Sequence, residues 1–174
     1  RFDEALRSAF VEGAPIDRQH TDSINGLNFQ PFTNFFAVAQ LTEGFNLGHE
    51  NGAGCVDFYG HLNTVNDCAF SIGGQYITSC DSDGIVKVWD IRQVQEVANL
   101  DTGDAIAHVV EFDKSGKSVA VGCSDGEIKF VNVERNEVTS QIKAHEGSVS
   151  DLVFNQDNST IYSVGGDGIV KVWR

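Results

Sequence analysis

Short runs of alternating apolar and polar residues, separated by turn residues, make up much of the chain. Alternation with a period of two residues is typical of β-strands that bury one face. The clearest set of runs predicts strands over residues 64–70, 75–80, 85–89 and 94–100. Between the second and third runs lies Asp83-Gly84, a pair that favours a type I′ hairpin, in which both central residues need a positive φ. The pattern therefore predicts antiparallel strands joined by short turns.

The same pattern recurs with a period of 42 residues. Four columns keep this interval through three consecutive units: Phe70, Phe112 and Phe154; Asp83, Asp125 and Asp167; Gly84, Gly126 and Gly168; Trp89, Val131 and Trp173. Agreement between four columns indicates an internal repeat. Four-stranded repeats of about 40–45 residues are typical of propeller blades, which bury their faces by stacking around a central axis. The chain is therefore predicted to be an all-β protein built from blades.

A fourth unit begins near the start of the chain. Residues 20–36 match residues 61–77 at an offset of 41, which predicts the first two strands of another blade. Residues 39–57, AQLTEGFNLGHENGAGCVD, contain no Asp-Gly turn, no alternation and no Trp where the third strand should fall. Two explanations are open. The blade is degenerate and its outer half is looped, or two compensating reading-frame errors have replaced an ordinary strand.

Two motifs carry a resemblance to a known family. Gly60-His61 opens one unit and Trp89-Asp90 closes its third strand, as in the WD-repeat family, which the chain resembles over about residues 19–36 and 58–174. The resemblance implies a WD-repeat β-propeller with about three and a half four-stranded blades in this chain, and the rest of the ring upstream of Arg1 or in another chain. The predicted units are an irregular or short helical lead-in (1–18), a degenerate or wrongly read blade (19–57), a blade (58–100), a degenerate blade (101–142) and a last blade lacking its outer strand (143–174).

One unit contains the residue types of a hydrolase triad, since His61, Ser79 and Asp83 are all present. The same types recur in the last unit, and a catalytic site is rarely duplicated in register with a structural repeat. The family resemblance implies instead a hydrogen-bonded network that pins the loop before the first strand to the third strand. The residues predicted for this structural network are His61, Ser79, Asp83, Trp89, Asp125, His145, Ser163, Asp167 and Trp173. No catalytic residue is predicted, and the chain is expected not to be an enzyme.

The resemblance also implies a binding face. In the family, partners often contact positions near the start of the first strand and before the turn Asp. The positions carried over are Thr64, Asn66, Ser82, Ile106, His108, Ser124, Ser148 and Ser150, with Gly166 as a ninth. Most of these residues are small, polar and uncharged, which favours recognition of other proteins. The alternative for each single residue is an ordinary solvated loop end.

The overall charge and the cysteines narrow the possible ligands. The chain has 25 acidic and 12 basic residues, which gives a formal net charge of -13 at pH 7. Nucleic acids and anionic membranes would be repelled over most of such a surface, so neither is expected as a partner. Cys55, Cys68, Cys80 and Cys123 lack the spacing of a zinc site and are expected to be reduced thiols. No metal ion or other cofactor is predicted.

A narrower resemblance suggests a function. The runs YGHLNTVNDCAF, SCDSDGIVKVWDIR and LDTGDAIAHVVEFDKSGKSVAVGCSDGEIKFVN resemble the C-terminal propeller of the sperm-associated antigen type of WD-repeat proteins, components of the central apparatus of motile cilia and flagella. This resemblance implies a scaffold that helps to bridge the two central microtubules and supports motility. Its expected location is the cytoplasm, in the cytoskeleton of the axoneme, and its expected partners are other central-apparatus proteins. Because the propeller is acidic, contact with microtubules is expected to be indirect.

The alternative belongs to a different class, a substrate receptor of a ubiquitin ligase or another cytosolic adaptor. Propellers of that class often carry a basic pocket for phosphorylated or acidic segments. The predicted partner-binding positions contain no Arg or Lys, which disfavours the alternative.

Overall fold

The computed structural model describes residues 23–31, 33, 35–40, 44–49 and 56–174. Every regular element within these ranges is a β-strand, and there are fifteen of them. The predicted lead-in over residues 1–18, with its short helix, lies outside the described residues. Within the described ranges, no helix is long and apolar enough to cross a membrane.

The strands form four sheets, and in each sheet consecutive strands pair antiparallel. Blade 1 contains β1 (Ile24–Phe29), β2 (Phe35–Gln40), β3 (Gly44–His49) and β4 (Val56–Tyr59). Blade 2 contains β5 (Val65–Phe70), β6 (Tyr76–Asp81), β7 (Ile85–Asp90) and β8 (Gln95–Asp101). Blade 3 contains β9 (Ala107–Phe112), β10 (Ser118–Cys123), β11 (Glu127–Asn132) and β12 (Glu137–Lys143). Blade 4 contains β13 (Val149–Phe154), β14 (Ile161–Gly165) and β15 (Val170–Trp173). The four blades are arranged as a β-propeller, which confirms the predicted fold class.

The outer half of blade 1 is not looped, so this part of the first explanation for residues 39–57 is wrong. β3 pairs with both β2 and β4 to complete a four-stranded sheet that ends at Tyr59. Alternation is absent because five of the six residues of β3 are buried. A strand that is covered on both faces has no solvent-exposed side on which polar residues would recur. Its Phe45 stacks on Phe58 of β4, with ring centroids 4.7 Å apart. The reading-frame explanation stays a hypothesis that resequencing of the transcript would test.

Three apolar clusters hold neighbouring blades together. The cluster between blades 1 and 2 includes Phe45 and Trp89. The cluster between blades 2 and 3 includes Val88 and Val110, and the cluster between blades 3 and 4 includes Val109 and Leu152. The first strand of each blade packs beside the first strand of the next, in the order β1, β5, β9 and β13. The starts of these four strands therefore meet near the axis of the propeller.

The Asp-Gly turns differ from the predicted type I′ geometry. Only the glycine of each pair has a positive φ, which is 78° at Gly84, 83° at Gly126 and 74° at Gly168. The turn of blade 2 has three residues, 82–84, and is closed by a 3.2 Å hydrogen bond from the Gly84 N–H to the Asp81 carbonyl. A type I turn followed by a left-handed glycine gives this arrangement. A Cβ on Gly84 would also lie 2.4 Å from the Gly103 carbonyl oxygen, so both the φ and the space require glycine.

Candidate functional site

A hydrogen-bonded chain ties the loop before β5 to β6 and β7. The His61 imidazole lies 2.6 Å from Ser79 Oγ through Nε2 and 2.7 Å from Asp81 Oδ2 through Nδ1. The Trp89 indole N–H donates to the same Ser79 Oγ at 2.9 Å. One tautomer satisfies all four groups: the His61 Nδ1–H donates to Asp81 and Nε2 accepts from the Ser79 hydroxyl. The chain fixes the loop on the third strand of the blade.

The environment of this network excludes triad chemistry at Ser79. Burial lowers the pKa of His61 below its usual value, and the hydrogen bond to Asp81 offsets this effect only in part. The Ser79 side chain is completely buried, and its oxygen is bonded to both His61 and Trp89. A nucleophile has to reach its substrate, so these groups support the loop and have no access to a reacting molecule.

Asp83 does not belong to the network, contrary to the sequence prediction. It is exposed, and its carboxylate accepts a hydrogen bond from the Asn63 side chain at 2.8 Å. Asp81, at the end of β6, binds His61 in its place. In blade 4 the position of Asp81 is held by Gly165, where a Cβ would lie 2.5 Å from the His145 ring. The turn Asp can reach the histidine only where that position is empty.

Blade 4 has the predicted arrangement. His145 Nδ1 lies 3.0 Å from the Asp167 carboxylate, and its Nε2 lies 2.8 Å from Ser163 Oγ. The Trp173 indole N–H donates to Ser163 Oγ at 2.9 Å. In blade 3, by contrast, the side chain of Asp125 accepts the Glu127 N–H at 3.0 Å and binds no histidine.

A column of buried or half-buried lysines on the third strands binds neighbouring segments, and the sequence prediction missed it. Its members are Lys87, Lys129 and Lys171, which keep the 42-residue interval. Their Nζ atoms bind, respectively, the Glu96 carboxylate, the Thr102 carbonyl and, at 2.5 Å, the Ala144 carbonyl. In blade 3 this lysine link supports the loop that has no histidine network. The shared interval was the signal that could have revealed the column.

The thiols show no reactive site. Cys68, Cys80 and Cys123 are free and buried, while Cys55 lies outside the described residues. Burial raises the pKa of each of the three thiols, so they stay protonated and poorly nucleophilic. Within the described part of the chain, no group of three or more His, Cys, Asp or Glu residues is placed to hold a metal ion.

A pocket of about 370 Å³ opens where the four first strands begin, and we call it the axial pocket. Its lining residues are Asn25, Asn66, His108, Ser148, Val149 and Ser150. Four of them hold the second position of β1, β5, β9 and β13, so each blade contributes one side chain. The pocket is therefore a product of blade stacking and not of any one sheet.

The axial pocket brings together four of the nine predicted partner-binding residues, namely Asn66, His108, Ser148 and Ser150. The other five form local hydrogen bonds in the adjoining loops, and among them the Gly166 N–H donates to the Ser148 carbonyl at 2.8 Å. The Ser82 N–H donates to the Thr64 carbonyl at 3.0 Å, and the Ile106 N–H donates to Ser124 Oγ at 3.0 Å. Asn25 was missed, although its match to Asn66 at the offset of 41 could have identified it.

Charge is distributed unevenly between the two ends of the propeller. We define the upper end by the loops around the axial pocket, residues 60–64, 82–84, 102–106, 124–126, 144–148 and 166–169. These six loops contain no Lys or Arg, and their acidic residues are Asp83, Asp104, Asp125, Glu146 and Asp167. The described loops at the opposite end contain both signs of charge: Arg92, Lys114, Lys117 and Arg135 beside Asp113, Glu134 and Asp157. The axial pocket therefore opens at the acidic end.

Comparison with known proteins identifies the repeats. The family model "WD domain, G-beta repeat" matches residues 52–90 and 136–174. Each matched segment ends one residue after the Trp of a histidine network, whereas blade 3, which lacks that Trp, has no match of its own.

Several curated proteins are similar to the chain. WD repeat-containing protein 91 homolog of Dictyostelium discoideum is 26% identical over 93 residues, which cover 53% of this chain and 12% of the relative. Target of rapamycin complex subunit wat1 of Schizosaccharomyces pombe is 26% identical over 160 residues, 90% of this chain and 51% of the relative. Human pre-mRNA-processing factor 17 is 29% identical over 121 residues, 67% of this chain and 21% of the relative.

The chain thus spans about half or less of the length of these relatives. Two of its segments match a repeat family and not a family of catalytic domains. The repeat matches, the histidine networks and the order of strands in the sheets all indicate propeller blades. The described part of the chain is all-β and forms four β-propeller blades, and two of its segments, residues 52–90 and 136–174, match the WD40 repeat.

Proposed function

We propose that the chain acts as a non-enzymatic scaffold for protein–protein interactions and that partners bind at its upper end. The axial pocket carries this proposal, because it gathers polar side chains from four blades. Polar groups that converge in a pocket fix the orientation of a ligand and provide specificity. Some similar proteins are named for assemblies or partners, such as the target of rapamycin complex subunit and a p21-activated protein kinase-interacting protein, which supports a scaffold role.

We place this scaffold in the central apparatus of motile cilia and flagella, where it would help to bridge the two central microtubules. The support is the resemblance of three runs that span β4 to β11 to the propeller of central-apparatus proteins. The names of the relatives quoted above do not refer to cilia, so the cellular assignment rests on that resemblance alone. The acidic upper end fits poorly with the alternative role as a receptor for acidic or phosphorylated segments.

Disruption of the gene in a ciliated cell tests the assignment. We expect slow or uncoordinated beating, measured by high-speed video microscopy, and recovery when the wild-type gene is restored. Normal beating in the disrupted cells would contradict the ciliary assignment.

Sedimentation with purified microtubules tests the indirect contact. Tubulin surfaces are acidic, and the chain carries a net charge of -13, so repulsion should keep the chain in the supernatant at low salt. Pelleting with microtubules that decreases as salt is added would show direct electrostatic binding and contradict the expectation.

A further inference from the structure

We infer that the axial pocket binds a cationic side chain, Arg or Lys, that a protein partner presents on an exposed loop or tail. The inference rests on the proposed scaffold role and specifies the chemistry of the partner. Three observations carry it: the acceptors that line the pocket, the carboxylates on the strands that carry the pocket residues, and the acidic loops around it.

The lining of the pocket offers hydrogen-bond acceptors. One side-chain N–H of Asn25 donates to the Val65 carbonyl at 2.9 Å, and those of Asn66 donate to the Ala107 carbonyl at 2.8 Å and to Ser82 Oγ at 3.2 Å. Each amide oxygen has two lone pairs, and since that of Asn66 accepts one hydrogen bond, from the Ser82 hydroxyl at 3.4 Å, it can accept a second from a ligand. In the described part of the chain, no hydrogen bond involves the His108 imidazole or the Ser150 hydroxyl. Guanidinium and ammonium groups donate hydrogen bonds and accept none, so they match this lining.

Three carboxylates lie on the strands that carry the pocket residues. Asp67 of β5 follows Asn66 directly and interacts electrostatically with Glu111 of β9 and Asp151 of β13. Burial, reinforced by the charges of Asp151 and Glu111, raises the pKa of Asp67 to about 6. Among the described ion pairs, Glu111 is the one member of the three that has a cationic partner, Lys114 at 3.6 Å. A cation in the pocket would lower the electrostatic cost of this cluster.

The surroundings of the pocket attract cations as well. The exposed carboxylates of Asp104 and Glu146 lie in the upper-end loops, which contain no Lys or Arg. The nearby lysines of the third strands are buried or half-buried and bound to loop carbonyls or to Glu96, and Lys143 binds the Asp125 carbonyl. Steering of a basic segment toward the upper end follows from this field. An apolar anchor is disfavoured because Val149 is the one apolar side chain among the described lining residues.

A pair of short labelled peptides tests the inference. Both have the same Gly/Ser sequence, and one carries two arginines where the other carries two glutamates. Fluorescence anisotropy with the 174-residue chain should show binding of the arginine peptide about tenfold tighter than binding of the glutamate peptide, and the difference should shrink as salt is raised. Equal or tighter binding of the glutamate peptide would overturn the inference.

Two matched pairs of variants locate the site. Ser150→Lys places an ammonium group in the pocket and should weaken binding of the arginine peptide by about tenfold, whereas Ser140→Lys adds the same charge on the exposed outer strand β12 and should change it by less than about twofold. Glu146→Gln should weaken binding and salt dependence more than Glu134→Gln at the opposite end. Equal losses within either pair would overturn the inference, and thermal melts confirm that all four variants fold.

The peptide-binding experiment and the gene-disruption experiment can fail independently of each other. If neither peptide binds while disrupted cells still lose normal beating, the inference about cations is wrong and the scaffold role stands. If the arginine peptide binds in the pocket while beating is unaffected, the inference stands and the ciliary assignment is wrong.

Discussion

A single carboxyl group organises both the turn and the loop of blade 2. Asp81 Oδ1 accepts the N–H groups of Asp83 at 3.0 Å and Ile85 at 2.9 Å, while Oδ2 accepts from His61. Only 1% of Asp81 is exposed, and a buried carboxylate is stable only when its lone pairs are used. Removal of this group leaves several buried donors unpaired at once.

Substitution of the two neighbouring aspartates should therefore have unequal effects. Asp81→Ala should lower the free energy of unfolding by about 2–4 kcal/mol, because His61 and two backbone N–H groups lose their acceptor. Asp83→Ala removes an exposed contact with Asn63 and should cost less than about 0.5 kcal/mol. Urea unfolding of both variants measures the difference. A loss for Asp83→Ala that equals the loss for Asp81→Ala would contradict the observed network.

The Asp67 carboxyl should make stability depend on pH. Its pKa is raised to about 6 in the folded chain, chiefly by burial, so the folded state holds this proton more tightly than the unfolded state. The Asp67 contribution to stability is therefore lost as pH rises from about 4 through about 6. Asp67→Asn keeps an acceptor for the Val110 N–H and has no proton to lose. It should be more stable than the wild type by about 1–2 kcal/mol at pH 7 and equal to it near pH 4.

A second variant, whose expected effect on stability at pH 7 has the opposite sign, serves as the control for the pH measurement. A side-chain hydrogen bond from Ser159 is the largest of the effects that lower the pKa of Asp157, so this carboxylate stabilises the folded state above its usual pKa. Asp157→Asn should lower the stability at pH 7. Thermal melts between pH 4 and pH 7 compare the two variants, and a pH-independent difference for Asp67→Asn would contradict the raised pKa.

At the scale of elements, the three-residue turns fix the loops of the upper end. Gly84 has a φ of 78°, and Gly84→Ala would place a methyl group 2.4 Å from the Gly103 carbonyl oxygen. The variant should lose at least about 2 kcal/mol of unfolding free energy. Gly73→Ala is the control, because it meets no atom within 4 Å and its φ is not positive. A comparable loss in the Gly73 variant by urea unfolding would contradict this account.

Alternation and the repeat interval predicted the strands of blades 2 to 4. These strands have polar residues on their solvent-exposed side or are bounded by typical turn residues. β3 escaped prediction because both of its faces are buried and the side chain of Asn46 bonds internally to Asp57. The sequence also did not predict that Asp81 binds His61 in place of Asp83. The choice depends on whether the residue at the Asp81 position has a side chain, since a side chain there occupies the space beside the histidine. The axial pocket was half predicted, because its residues share register positions but their convergence depends on blade stacking.

At the scale of the whole molecule, the two outer faces of the stack are apolar. Ile24, Leu27 and Phe29 of β1 are 53–60% exposed, although the residues at the same register in blades 2 to 4 are buried. On the opposite side, Val170 and Val172 of β15 are also exposed. Between neighbouring blades, a face of the first type packs against a face of the second type. The two exposed outer faces could therefore pack against each other in the same way.

The 174-residue polypeptide expressed by itself should therefore self-associate. Sedimentation velocity at moderate salt should show a concentration-dependent rise in mass, and Leu27→Glu should reduce it by placing a charge on the outer face of blade 1. Leu62→Glu, in an exposed upper-end loop, is the matched control and should leave the association unchanged. A monomer that melts cooperatively at all concentrations would contradict the prediction.

The side-chain amides of Asn25 and Asn66 each bond to the backbone of the following blade, and both also line the axial pocket. A slight separation of neighbouring blades would widen the pocket while every strand kept its own partners. Ligand occupancy and blade alignment are thus thermodynamically linked, since a ligand that fits only the aligned arrangement stabilises it by mass action. Partner binding at the axis would then regulate the rigidity of the entire stack.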